Sequence, residues 1–386
     1  MRTFRCDHCG HPLFFENVQC LKCGSALAFL PHRLALCAIE PAPGKPQGTW
    51  QRKAANRRKQ PARFYRLCQN NTAHQACNFA VPVDDPNPLC VSCRQTRLLP
   101  DLSTGDNHNH WYRIEVAKRR LFYTLAKLSL TPVEPGQGQG EGPVYQFLAD
   151  QPGHHVVTGH CNGVITLNIA EADDAERVRR RVALHEPYRT LLGHLRHESG
   201  HYYWDRLIRD GGRIEAFREI FGDESVPYRE ALDSYYANGA APGWERSYVS
   251  AYATSHPWED WAETWAHYLH MVDLLETASS YNTKVVVPGD DNEEEVTNPF
   301  QDEKAPFEQL VDQWVPLTLL LNSLNRSLGQ EDAYPFALSI RALDKLRFMH
   351  DVIHAPPPVQ APAQGNVVPQ SPGCDTIAAD VATAQD

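Results

Sequence analysis

The sequence is defined first by what it lacks. It has no apolar run long enough to span a membrane; the best, around residues 315–321, is short and holds Pro316 and Thr318. No apolar segment precedes the first cysteines of the N-terminal MRTFRCDHCG, so no export signal is expected. Positive charge is not in excess: 37 Lys and Arg face 47 Asp and Glu, a formal net charge of −10. That argues against a general nucleic-acid-binding surface. Nor is there a secreted disulfide pattern. The eleven cysteines are an odd number, and most fall in C-x-x-C pairs. Without an export signal that spacing points to metal, and to a cytoplasmic protein. What remains is ordinary globular composition, 42% hydrophobic and 22% charged over 386 residues. This is enough for one large domain with small modules, or for two domains.

The cysteines fall into two groups. Cys6, Cys9, Cys20 and Cys23 form two knuckles, each followed by glycine, which can close a tetrahedral four-thiolate zinc site. So small a segment cannot bury its own core, and metal would supply much of its folding free energy. Cys68, Cys77, Cys90 and Cys93 offer a second, less regular structural site, in which His74 could replace one thiolate. Cys37, Cys161 and Cys374 are left over and are expected as free thiols. The basic stretch 51–66 reads as a solvated linker; its sharper reading is an anion or nucleic-acid contact.

Beyond the cysteines, Ile114, Ala117, Leu121, Leu125 and Leu128 recur at helical spacing and predict an amphipathic helix over 110–130. Residues 134–143 form a flexible loop. Ile165, Leu167 and Ile169 alternate with polar residues, which predicts a half-buried strand that could rim a substrate cleft. His155 and His160 read as surface or packed histidines.

The stretch 191–205 contains His197-Glu198-Ser199-Gly200-His201, an H-E-x-x-H pattern. On a helix the two histidines share one face and can bind one zinc, with Glu198 placed to take a proton from water. Glu186 and Pro187 suit the start of that helix and Gly211-Gly212 its end. His194 reads as packing or as support for the metal face. Two histidines need a third protein ligand. Downstream, Pro257 opens a helix on which Glu259, Glu263 and His267 share a face. Glu259 is the chosen ligand, with Glu263 orienting a ligating histidine through its free ring N–H; the reverse assignment stays open. His267 and His270 read as packing among Trp258, Trp261 and Trp265. An acidic exposed loop over 284–306, helices over 307–328 and 335–353, and a disordered Pro-rich tail over 355–386 complete the chain.

The strings RCDHCGHPLFFENVQCLKCG, NPLCVSCRQTRLLPDLS, VTGHCNGVITLNIAEADDAER, EPYRTLLGHLRHESGHYYWDRL and HPWEDWAETWAHYLH resemble the bacterial "putative zinc-binding metallopeptidase" family with an N-terminal zinc ribbon. The resemblance runs from Met1 to about residue 350. The second half also resembles, distantly, the lethal-factor type of gluzincin. There a tyrosine precedes the ligand glutamate by seven residues and an acidic residue follows it by four, the spacings of Tyr252, Glu259 and Glu263 here. That resemblance supports Glu259 as ligand and implies Tyr252 as hydroxyl donor to the tetrahedral intermediate.

The expected fold is α+β: zinc-ribbon modules, then a mostly α-helical zincin-like metallopeptidase domain with a small sheet. The expected divisions are a ribbon over 1–35, a basic linker and second four-cysteine module over 36–105, the peptidase domain over 106–354, and the tail. The expected activity is peptide-bond hydrolysis with one catalytic and two structural zinc ions. Partners would be a peptide or protein substrate and a protein recruited through the ribbons. The rival reading is a zinc-ribbon binding module, for protein or nucleic acid, whose zincin-like body is not hydrolytic. A third is a zinc hydrolase of non-peptide amides.

Overall fold

Two cysteine knuckles open the chain, and both turn on glycine. Gly10 and Gly24 adopt φ of +75° and +68°, and their N–H groups bond back to Cys6 and Cys20 at 2.7 and 2.8 Å. A residue with a Cβ would be strained there. The computed structural model describes residues 1–53, 63–131, 142–153, 155–183, 189–286, 293–301 and 305–355. The centre of the basic stretch, most of the 134–143 loop, the middle of the acidic loop and the tail from 356 lie outside these residues.

The first knuckle sits between β1 (Phe4–Arg5) and β2 (Pro12–Leu13). Then β3 (Ala26–Leu30), β4 (Ala35–Pro41), β5 (Trp50–Arg52), β6 (Phe64–Leu67) and β7 (Ala80–Pro82) form one antiparallel meander. This differs from the expected division at residue 35 and the linker beyond it. β3 pairs along its whole length with β4, Phe29 opposite Leu36, and both of these apolar side chains are buried. Helix α1 (Gln69–His74) separates Cys68 from Cys77. His74 is not among the converging ligands; it meets Trp111 edge-on and His108 at a tilt.

Strand β8 (Thr96–Leu98) then enters a second sheet, and α2 (Asn107–Lys127) follows. β9 (Val144–Leu148), β10 (Gly159–Cys161) and β11 (Val164–Asn168) complete that sheet in the order β10-β11-β9-β8. β11 is not the half-buried rim strand that its alternation predicts. It lies between β10 and β9, and Ile165, Thr166, Leu167 and Asn168 are all buried. The edge is β10. Cys161, at its end, is disulfide-bonded rather than a free thiol, whereas Cys37 is a buried thiol.

The remaining helices are α3 (Asp174–Ala183), α4 (Leu191–Trp204), α5 (Ile214–Phe221), α6 (Tyr228–Asn238), α7 (Pro257–Ser280), α8 (Phe307–Ser327) and α9 (Ile340–His354). Between α7 and α8, β12 (Lys284–Val286) and β13 (Glu293–Glu295) form a hairpin where an irregular acidic loop was expected.

α2 joins the two halves. Trp111, Ile114, Leu121 and Leu125 belong to the large core shared with α4 and α7. Phe122, Tyr123 and Ala126 belong to the core of the ribbon region, beside the cysteines. Among the described residues no helix is long and apolar enough to cross a membrane.

Candidate active site

Helix α4 begins where Thr190 caps it: the hydroxyl accepts the Gly193 N–H at 3.0 Å. The start expected at Glu186 and Pro187 lies outside the described residues. α4 packs along α7, and the small residues of the H-E-x-x-H stretch form the seam. The indole N–H of Trp261 donates to the Gly200 carbonyl at 2.9 Å, and that of Trp265 to Ser199 Oγ at 3.1 Å. Helix α7 starts at Pro257, capped by His256, whose Nδ1 accepts the Trp258 N–H at 3.0 Å. This fixes Glu259 in the first turn, opposite the two histidines of α4.

His197, His201 and Glu259 are buried, and each offers one ligand atom within 4.8 Å of the others. His197 Nε2 lies 3.0 Å from Glu259 Oε2, and His201 Nε2 lies 3.4 Å from Glu259 Oε1. The other ring nitrogen of His197 is 2.6 Å from Glu263 Oε1, and Glu263 Oε2 accepts from Ser250 Oγ at 2.6 Å. Among the described residues no carboxylate bonds the other ring nitrogen of His201. Its ring lies against Trp258, centroids 3.7 Å apart. Burial alone would push the Glu259 carboxyl up, but the imidazoles of His201 and His197 hold it well below the usual range.

The donor set fits zinc. Two imidazole nitrogens and one carboxylate are a common ligand trio. Glu259 Oε2 is buried and makes no hydrogen bond despite its short approach to His197 Nε2, as expected of atoms turned toward a shared cation. Cys6, Cys9, Cys20 and Cys23 form a second group with converging ligand atoms, and Cys68, Cys77, Cys90 and Cys93 a third. The third is fully buried, with the guanidinium of Arg119 close by, donating to the Ala76 carbonyl at 2.7 Å.

Residues 107–352 match the family described as "Putative zinc-binding metallo-peptidase". The chain belongs to that family. Residues 3–104 match a zinc-ribbon domain. Uncharacterized proteins of Mycobacterium tuberculosis and Mycobacterium bovis are 41% identical over 364 residues, covering 94% of this chain and 98% of each relative. No solved structure matches the chain significantly. Zinc binding thus rests on the family and on three clusters of ligands.

Other expected residues fall around the trio. Glu198 is buried next to it. Tyr252 stands in a short turn before α7, its ring 6.0 Å from that of His197. His160, on β10, lies beside His201 but is packed: its Nε2 accepts the Gly163 N–H at 3.0 Å. Burial, with the charge of His201, pushes its pKa down to about 3. His267 bonds Tyr334, and His270 pairs with Arg196.

Sequence reasoning missed Tyr228. Its hydroxyl donates to Glu259 Oε1 at 2.7 Å, but no spacing relates a residue at the start of α6 to one on α7. It also missed Ser250, which a turn without periodic pattern brings to Glu263.

Proposed function

We propose that this chain is a zinc-dependent peptidase, with His197, His201 and Glu259 holding the catalytic zinc and the two four-cysteine groups holding structural zinc. The observation that carries this reading is the convergence of the trio, with Glu263 bonded to the far nitrogen of His197. Metal-ligating histidines are oriented in this way by a carboxylate, so Glu259 is the ligand and Glu263 the orienting group. A bound zinc supplies Lewis-acid polarisation of a peptide carbonyl and of water.

The residues of the chain do the rest. Glu198 accepts a proton from water and delivers it to the leaving amine. Tyr252 donates its hydroxyl to the oxygen that gains charge. An extended substrate pairs with the edge strand β10, which runs beside α4, so that its backbone passes the metal ligands. The substrate is a peptide or protein, and the ribbons offer a surface to a protein partner.

Glu198→Gln tests the reading. The variant should keep the metal content of the wild type, three zinc ions per chain, and lose cleavage in a proteome-wide comparison of substrates. Cleavage unchanged in Glu198→Gln would sink the mechanism.

A further inference from the structure

Glu198 is not held by the metal trio. On its outer side it meets His194, one helical turn earlier on α4: His194 Nε2 lies 3.4 Å from Glu198 Oε1. Residues four apart on a helix stack one above the other, so the approach is built into α4 itself. The remaining oxygen of Glu198, Oε2, is buried and has no hydrogen-bond partner.

His194 is in turn backed by Glu171. The Glu171 carboxylate, 2% exposed, stands 3.7 Å from His194 Nδ1. It is fixed by two arginines from different elements: Arg180 of α3 at 2.8 Å and Arg189, just before α4, at 2.9 Å. Glu171 belongs to the short turn Ile169–Ala172 that continues β11. The chain of contacts therefore runs from the sheet through Glu171 and His194 to Glu198. A carboxylate this deeply buried is costly unless it is paired. Three cationic or donor groups converge on Glu171, while His194 is the one that also reaches the H-E-x-x-H glutamate.

We propose that His194 is a positioning residue for Glu198, clamping Oε1 through its Nε2–H so that Oε2 alone is left to exchange a proton with water, and that Glu171 fixes the imidazole in this orientation. The inference rests on the reading of Glu198 as proton acceptor. Without the clamp a glutamate can rotate either oxygen toward the site, or swing away from it. With it, one oxygen is pre-aimed, which is where proton transfer gains from orientation. The distance of 3.4 Å is long for a hydrogen bond, and such contacts shorten when substrate closes the site.

Two readouts separate this proposal from the peptidase reading itself. The first needs no substrate. In the full chain labelled with ¹⁵N-histidine, the side-chain resonance missing from His194→Gln identifies His194. Its Nε2 should carry a slowly exchanging, downfield proton, and that signal should move upfield or vanish in Glu198→Ala. A His194 signal identical in wild type and Glu198→Ala overturns the clamp, whether or not the protein cleaves peptides. The second readout uses a peptide library cut by the wild type. His194→Leu should lower kcat about 10–100-fold with KM and zinc content unchanged, and His194→Gln, which restores an N–H donor near Nε2, should recover most of it. Equal losses in the two variants would also overturn the proposal.

Discussion

Gly200 and Ala262 bring α4 and α7 into backbone contact: a Cβ built on Gly200 falls 2.9 Å from the Ala262 Cα and 3.1 Å from Trp265 Cβ. The glycine of the H-E-x-x-H stretch is therefore a packing requirement, set by the helix that carries Glu259 and Glu263. Gly200→Ala must push the helices apart, at about 1–3 kcal/mol, the usual cost of overpacking. Thermal unfolding should show the loss, and zinc should weaken at the His/Glu trio while the cysteine sites stay filled. A variant as stable as wild type would mean that the seam yields.

The pair Glu259 and Glu263 can be told apart by metal affinity. Glu259→Ala should leave the trio unable to hold zinc. Glu263→Gln, which alters the bonds to His197 Nδ1 and Ser250 Oγ but leaves Glu259 in place, should weaken it about 10–100-fold. Competition with a chelator measures both, and the opposite order would make Glu263 the ligand.

Two tyrosines approach the trio and should differ in kinetics. Tyr252→Phe should reduce kcat about 100-fold, the scale of one lost oxyanion donor, with zinc retained. Tyr228→Phe removes the bond to Glu259 Oε1 and should act chiefly on zinc affinity. If Tyr228→Phe alone lowered kcat at constant zinc, the oxyanion role would pass to Tyr228.

Glu171 makes an acid-stability prediction. Burial raises its carboxyl, but His194 and Arg189 outweigh burial and hold it well below its ordinary 4.5. A lowered folded value means stabilisation that is complete above that ordinary value and lost as pH falls below it. Glu171→Gln should thus be less stable than wild type at neutral pH, with the gap narrowing as pH drops below about 4.5. Urea midpoints measured across that range give the result; a constant gap would contradict it.

Much of the site was legible because helical spacing is a short-range rule. His197 and His201 stand four apart, as do Glu259 and Glu263, and each pair needs only its own helix to share a face. The C-x-x-C knuckles were legible for the same reason, since each is local, whereas Cys68 and Cys77 flank α1 and meet Cys90 and Cys93 through tertiary packing. The alternation in β11 was visible too, but not its burial on both faces, which depends on strands before and after it. Tyr228, Ser250 and Glu171 were illegible: each reaches the site from a turn or a helix start whose direction is set by tertiary packing. One sheet runs across residue 35, from β3 to β7, because strands paired in space can lie on either side of any position in the sequence.

The seam between the two family matches, residue 104 against residue 107, is a boundary of sequence and not of folding. A body cut to begin at Asn107 would lose β8 from its sheet and bare the ribbon-facing side of α2, with Phe122, Tyr123 and Ala126 turned to water. The converse holds as well. The buried cysteine group packs on α2, whose other face enters the core shared with α4 and α7, so disturbing those thiols should also disturb the helices that carry the His/Glu trio.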